Sequence, residues 1–159
     1  AGISQRIAFA DSRNKQILLS GIAPPILLID LMRSERWTNL DDSVWRQIIP
    51  FLDGPVELLD LDAIEFESRG TVADIPDATD WMREMRSNTP SRDLPWLDVS
   101  KSLFIAANKI PGDDIGVAID YRESDPDDPR IVASKWGDDG CEWRLAFSTF
   151  SEFVRRAAM

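Results

Sequence analysis

Histidine is absent from the 159 residues, and cysteine and tyrosine occur once each. Without histidine the chain holds no Ser-His or Cys-His nucleophile pair, no imidazole acid or base and no His-ligated zinc. A single thiol, Cys141, excludes an internal disulfide and any multi-cysteine cluster, and fits a reducing compartment. No apolar run approaches the roughly 18–20 residues of a membrane-spanning helix. The first twenty residues also lack the apolar core and small-residue cleavage site of a secretory signal. The phosphate-cradling patterns G-x-x-x-x-G-K-S/T and G-x-G-x-x-G do not occur, nor does the G-x-S-x-G nucleophile turn. With a length of one ordinary domain, these absences lead to the expectation of a single cytoplasmic domain over residues 1–159, with no cofactor, no metal and no membrane contact.

Positive charge is scarce too. Eighteen Lys and Arg face 28 Asp and Glu, a formal charge of −10. Acids exceed bases in both halves of the chain, so the charge is not a tail. Nucleic-acid binders release counterions from phosphate through a basic face, and no Lys/Arg cluster here supplies one. The densest basic pairs, Arg83/Arg86 and Arg155/Arg156, fall on the solvated sides of amphipathic segments. A negative surface repels DNA and anionic lipid and attracts basic proteins.

What is present is patterned in two ways. In the first part the apolar spacing is helical. Pro24-Pro25 introduce an apolar run from Ile26 that continues through Leu31 and Met32 to Arg36, with proline expected at the first helical position. Asp41 and Asp42 can cap a second helix, in which Trp45, Ile48, Ile49 and Leu52 recur at i, i+3, i+4 and i+7 until Pro50 interrupts. A short acidic helix follows over residues 61–68, and a third strong one over 77–86 places Ala78, Trp81, Met82 and Met85 on one face. Residues 1–23 read as an arm of uncertain conformation, and residues 87–95 as a loop.

After residue 94 the period changes to two. Residues 103–107 form a short apolar run. Ile115, Val117, Ile119 and Tyr121 alternate with Gly116, Ala118, Asp120 and Arg122, the mark of a half-buried strand. Another strand begins at Ile131, and Trp143, Leu145 and Phe147 alternate in a further one. Asp139-Gly140 is placed for a hairpin. Thr149 and Glu152 have capping-box spacing ahead of an apolar stripe of Phe150, Phe153, Val154 and Ala157. The expected fold is α+β: N-terminal helices, an antiparallel meander of about four strands, and a C-terminal helix packed on the sheet.

Candidate chemistry is confined to carboxylates and the thiol. The pairs Asp41/Asp42, Asp113/Asp114, Asp127/Asp128 and Asp138/Asp139 sit at expected caps and turns, where aspartate accepts backbone hydrogen bonds. Residues 123–129 are oxygen-rich but lack the glycine turn and distal glutamate of a calcium loop. No cationic partner stands beside Cys141 to activate it. Trp45, Trp81 and Trp143 fall on core faces, whereas Trp96 and Trp136 lie near loops and are the better candidates for an exposed contact.

From residue 94 the chain reads Leu94-Pro95-Trp96-Leu97-Asp98, Leu103-Phe104-Ile105-Ala106-Ala107, Pro111-Gly112-Asp113-Asp114 and Asp120-Tyr121. It continues Arg130-Ile131-Val132-Ala133-Ser134-Lys135-Trp136 and closes Phe147-Ser148-Thr149-Phe150-Ser151-Glu152-Phe153. Over residues 94–156 this resembles the SUKH superfamily, which contains the fungal cell-wall-assembly regulator and many bacterial proteins. The resemblance implies a non-enzymatic α+β module that binds protein, often an immunity protein neutralising a toxin, commonly a nuclease. A regulatory scaffold is the alternative, and a carboxylate-dependent hydrolase or small-ligand site near Glu65 and Glu67 the more distant one. The expected partner is a basic toxin domain, met by Asp113, Asp114, Asp125, Asp127 and Asp128 with Trp96 and Trp136.

Overall fold

The computed structural model describes residues 17–69, 94–95, 97–122, 124–138 and 140–159. The helix expected over 77–86, Trp81 and Trp96 lie outside these. The described elements are α1 (Ile26–Arg33), α2 (Asp42–Ile48), β1 (Val56–Leu58), α3 (Leu61–Arg69), a 3-10 turn (Val99–Lys101), β2 (Ser102–Asn108), β3 (Gly116–Asp120), β4 (Arg130–Gly137), β5 (Gly140–Phe147) and α4 (Phe150–Arg156). The five strands pair in chain order, each antiparallel to the next, so the sheet is a meander. The α+β class and the closing helix agree with the sequence pattern.

The helices follow local rules with small departures. Pro25 occupies the N-cap of α1, one place before the expected first helical position, and the helix ends at Arg33 because Glu35 turns to φ +59°. Asp41 caps α2 by position and backbone but makes no side-chain cap bond. At α4 the Thr149 side chain accepts the Glu152 N–H at 3.1 Å, as the spacing expects. Within the expected arm, Leu19 and Ile22 bridge around Ser20 (φ +52°) and Gly21 (φ +78°). Positive φ at both central positions is what a type I′ turn requires, and Gly21 adopts it without a Cβ penalty.

β1 was not anticipated. Its three residues are too few to show a period, and the sheet recruits them through Val56↔Asn108 and Leu58↔Ala106. Beyond β1 the same edge of β2 is finished by side chain and helix: the Phe104 N–H donates to the Ser68 Oγ of α3 at 2.9 Å. On the far edge the Trp143 N–H donates to the Pro95 carbonyl at 2.8 Å. Both sheet edges are therefore partly occupied, which limits open strand pairing.

β3 corrects the expectation of a half-buried strand. All five of its residues are buried. The alternation in this segment is one of size rather than polarity. The face carrying Val117 and Ile119 shares rows with Leu103, Ile131 and Phe147. The opposite face carries Gly116 and Ala118, small enough to admit the Phe104 and Trp143 rings, which meet edge to face at 5.8 Å. A Cβ on Gly116 would lie 2.9 Å from both rings.

β5 departs in a second way. The sequence places Trp143, Leu145 and Phe147 on one face, but the register shifts between Ile131 and Val132 of β4, which pair with Phe147 and Leu145. The extra residue, Ala146, is a β-bulge and moves Phe147 to the other face. There Phe147 meets Phe153 of α4 at 5.5 Å, and Phe153 also touches Trp45 of α2, stacked at 5.9 Å, and Trp37 at 6.3 Å. Leu145 is left 48% exposed. Each of the buried rings contributes about 1.5–3 kcal/mol by leaving water. Against that, the indole N–H groups of Trp45 and Trp143 are buried without a hydrogen-bond partner.

Gly116→Ala is expected to destabilise the protein by about 1–3 kcal/mol in urea unfolding, because two packed aromatic rings must shift to admit one methyl group. An unchanged midpoint would show that the two rings yield freely.

Candidate functional site

The expected contact residues are divided by the sheet between its two ends. β4 has eight residues, which separates its ends by about 23 Å at roughly 3.3 Å per residue. Asp113, Asp114 and Trp136 stand at one end, and Asp125, Asp127 and Asp128 at the other. The first group does not meet the second in a single surface patch.

At the first end the β2–β3 loop, the α2–β1 turn and the end of β4 converge. The Asn108 side chain closes the loop, its Nδ2 donating to the Ile110 carbonyl at 2.7 Å and its Oδ1 accepting the Ile115 N–H at 3.3 Å. Asp114 holds φ +51°, a conformation aspartate tolerates better than most residues. Its carbonyl accepts the Trp136 Nε1–H at 2.8 Å, so this indole is half-buried and tied to the loop. Asp53 was missed in the sequence, where Asp53-Gly54-Pro55 shows only a turn. Its carboxylate pairs with Lys135 Nζ at 2.7 Å and accepts the Trp136 N–H at 2.8 Å. Asp42 pairs with Lys109 at 2.6 Å. Asp41, Asp113, Asp114 and Asp138 remain exposed around these two ion pairs.

Cys141 lies within reach of that negative field. Burial pushes its thiol up to about 12, and the charges of Asp53, Glu142 and Asp114 act in the same direction. The thiol is buried and protonated, which agrees with the inert role expected for it.

At the second end the organising group is a buried carboxylate. Asp120 closes β3 with no exposed surface. Its Oδ1 accepts the Arg122 N–H at 3.0 Å and the Arg122 Nε–H at 2.9 Å. Its Oδ2 accepts Arg122 Nη2 at 3.0 Å and Arg130 Nε at 2.9 Å. The Arg122 side chain is 1% exposed and that of Arg130 22%. Ser124 Oγ donates to the Asp120 carbonyl at 2.8 Å. The sequence alternation places Asp120 and Arg122 on a polar face. In the fold that face is buried, and the two residues satisfy one another there.

This cluster sets the β3–β4 connection, and the three aspartates of that loop take different roles. Asp125 Oδ1 accepts the Asp127 N–H at 2.9 Å, an Asx turn. Asp128 accepts the Ser151 N–H at 2.8 Å and Ser151 Oγ at 2.6 Å, adding a second cap to α4. Asp127 is exposed, and no described side chain pairs with its carboxylate. It lines a groove of about 490 Å3 formed with residues 22–27, Tyr121 and Pro126. The Tyr121 hydroxyl donates to the Ala23 carbonyl at 3.0 Å, fastening the groove's two sides, and burial raises its pKa.

The other sequence candidates stand apart from the groove. Glu67 lies on α3, where partial burial raises its carboxyl above the ordinary value. Neither Glu65 nor Glu67 lines the groove. Among the described residues no group of three His, Cys, Asp or Glu side chains is placed to hold a metal ion, and no helix is long and apolar enough to cross a membrane. Comparison of the chain with protein-family models, curated proteins and solved structures found no match.

Asp120→Ala is expected to cost about 3–5 kcal/mol, because it strands two guanidinium groups, one of them fully buried. Chemical denaturation measures it, and a loss below 1 kcal/mol would mean the arginines find other acceptors. For Cys141 the folded value near 12 exceeds the ordinary 9.0. Its contribution to stability is therefore fully present well below about pH 9 and is lost as pH rises from there toward 12. Iodoacetamide at pH 8 should label the unfolded chain and spare the native one, and equal labelling would contradict the burial.

Proposed function

We propose that this chain is a protein-binding domain of SUKH type, a cytoplasmic immunity protein that occupies and neutralises a basic toxin domain. The observation that carries the reading is the acidic end of the sheet. There Asp41, Asp113, Asp114 and Asp138 are exposed beside the Asp42–Lys109 and Asp53–Lys135 pairs. Among these described side chains two cations face six carboxylates, an excess of negative charge in keeping with the chain's −10. The antiparallel meander with its closing helix fits the α+β module that the resemblance over residues 94–156 implies.

Such a surface acts first on association. Long-range attraction raises encounter rates with a basic partner by about 10–1,000-fold at low salt, and screening removes the advantage. It also disfavours acidic proteins, since like charges brought together cost free energy. Trp136, held by Asp114 and Asp53, offers a rigid apolar surface next to those charges. Such a ring orders little on binding because it is already fixed. No proton transfer or covalent step is part of this role.

Native co-purification followed by mass spectrometry identifies the partner, and co-expression tests the immunity role. Cells making the partner alone are expected to stop growing, and cells making both proteins to survive. The association rate should fall about tenfold or more between 50 and 500 mM NaCl. It should fall comparably in an Asp113→Asn/Asp114→Asn variant at low salt. A partner that is harmless alone, or whose association ignores both salt and the substitutions, would refute the proposal.

A further inference from the structure

A second surface lies at the opposite end of the sheet, in the groove of about 490 Å3 between residues 22–27 and the β3–β4 loop. Its walls are somewhat more apolar than polar, and they are stiff. Pro24, Pro25 and Pro126 have fixed φ angles, and Ile26 at the start of α1 is 77% exposed, the most open of the large apolar side chains among the described residues. An isoleucine so exposed gains by being covered, at about 25 cal/mol for each Å2 removed from water.

The groove offers a few backbone donors and one carboxylate. The three prolines have no N–H. The N–H groups of Ile22, Tyr121 and Asp127 are already donated to Leu19 O, Lys101 O and Asp125 Oδ1, whereas those of Ala23, and of Ile26 and Leu27 in the first turn of α1, have no acceptor among the described residues. The Tyr121 hydroxyl hydrogen is committed to Ala23 O. What the lining side chains add is the Asp127 carboxylate, the one charged group among the described residues of the groove. The amino end of α1 opposes that charge by only roughly half an elementary charge. The arginines of this end, Arg122 and Arg130, are both held on Asp120. The Asp127 carboxylate is complementary to a cation carried beside an apolar side chain, and the open N–H groups are complementary to the backbone carbonyls of an extended peptide.

We propose that this groove takes a short extended segment of a partner protein, seating an apolar residue against Ile26 and Tyr121 and an adjacent Arg or Lys against Asp127. The Tyr121 ring adds a face on which a cation is favoured. The site is separate from the acidic end about 23 Å away, as measured along the strands. Its failure would therefore leave the toxin-binding reading standing, and the reverse also holds.

The test is a 15N NMR titration of the whole chain with two blocked hexapeptides that differ only in carrying Arg or Glu next to Leu-Pro. The Arg peptide is expected to shift the amide signals of Ile22, Ala23, Tyr121 and Asp127 saturably. It should bind at least about threefold more tightly than the Glu peptide, the scale of one exposed charge pair. Asp127→Asn should erase that preference while leaving the unfolding midpoint unchanged, and Ile26→Ser should weaken both peptides. The proposal is overturned by equal binding of the two peptides, by shifts located elsewhere, or by no saturable shift. It is overturned too if diluting the protein alone moves these signals, since a second copy would then be the occupant.

Discussion

The arrangement of one whole end of this protein depends on a carboxylate that has been taken out of water. Asp120 is fully buried and is tolerable there because two guanidinium groups and a backbone N–H supply its hydrogen bonds. Burying such a cluster yields little net stability compared with an apolar replacement, since desolvation consumes most of the attraction. What it confers is position. Arg122 follows β3 and Arg130 begins β4, so one carboxylate sets both ends of the connecting loop. That loop places Asp128 on the amino end of α4 and Asp127 at the groove, while Tyr121 reaches across to Ala23.

The sheet around this cluster is stabilised mainly by packing on two sides. Phe153 of α4 brings together Phe147, Trp45 and Trp37, which joins a strand, a helix and a loop in one aromatic group. On the other face Gly116 makes room for Phe104 and Trp143. Close packing of this kind is sensitive to single methyl groups and leaves two indole N–H groups unsatisfied. The rigid sheet separates two loop regions of different character. One is rich in carboxylates and ion pairs, and the other is a proline-walled groove with the Asp127 carboxylate at its edge.

The proposed roles follow from that separation. Loops at opposite ends of a meander cannot share one small ligand, but each can meet a protein surface. The acidic end suits long-range steering and the groove suits short-range fit, so salt acts chiefly on the first and shape on the second. Cys141 takes no part in either, because burial keeps its thiol protonated.

Helices α1 to α4, the order of the later strands and the cap at Thr149 were legible from the sequence, because they arise from local spacing and capping chemistry. The candidate Asp127 was legible only as one acid among several in its loop. Tertiary structure decided the rest. A three-residue strand such as β1 has no period of its own and exists through pairing with β2. The bulge at Ala146 turns Phe147 to the other face, which no alternation in sequence can reveal. Burial of Asp120 and Arg122 looked like solvent exposure because polarity marks a surface only when the groups lack partners, and theirs are supplied by folding. Likewise, sequence supplied seven contact candidates, but only the strand lengths determined that the six described ones fall at two distant ends.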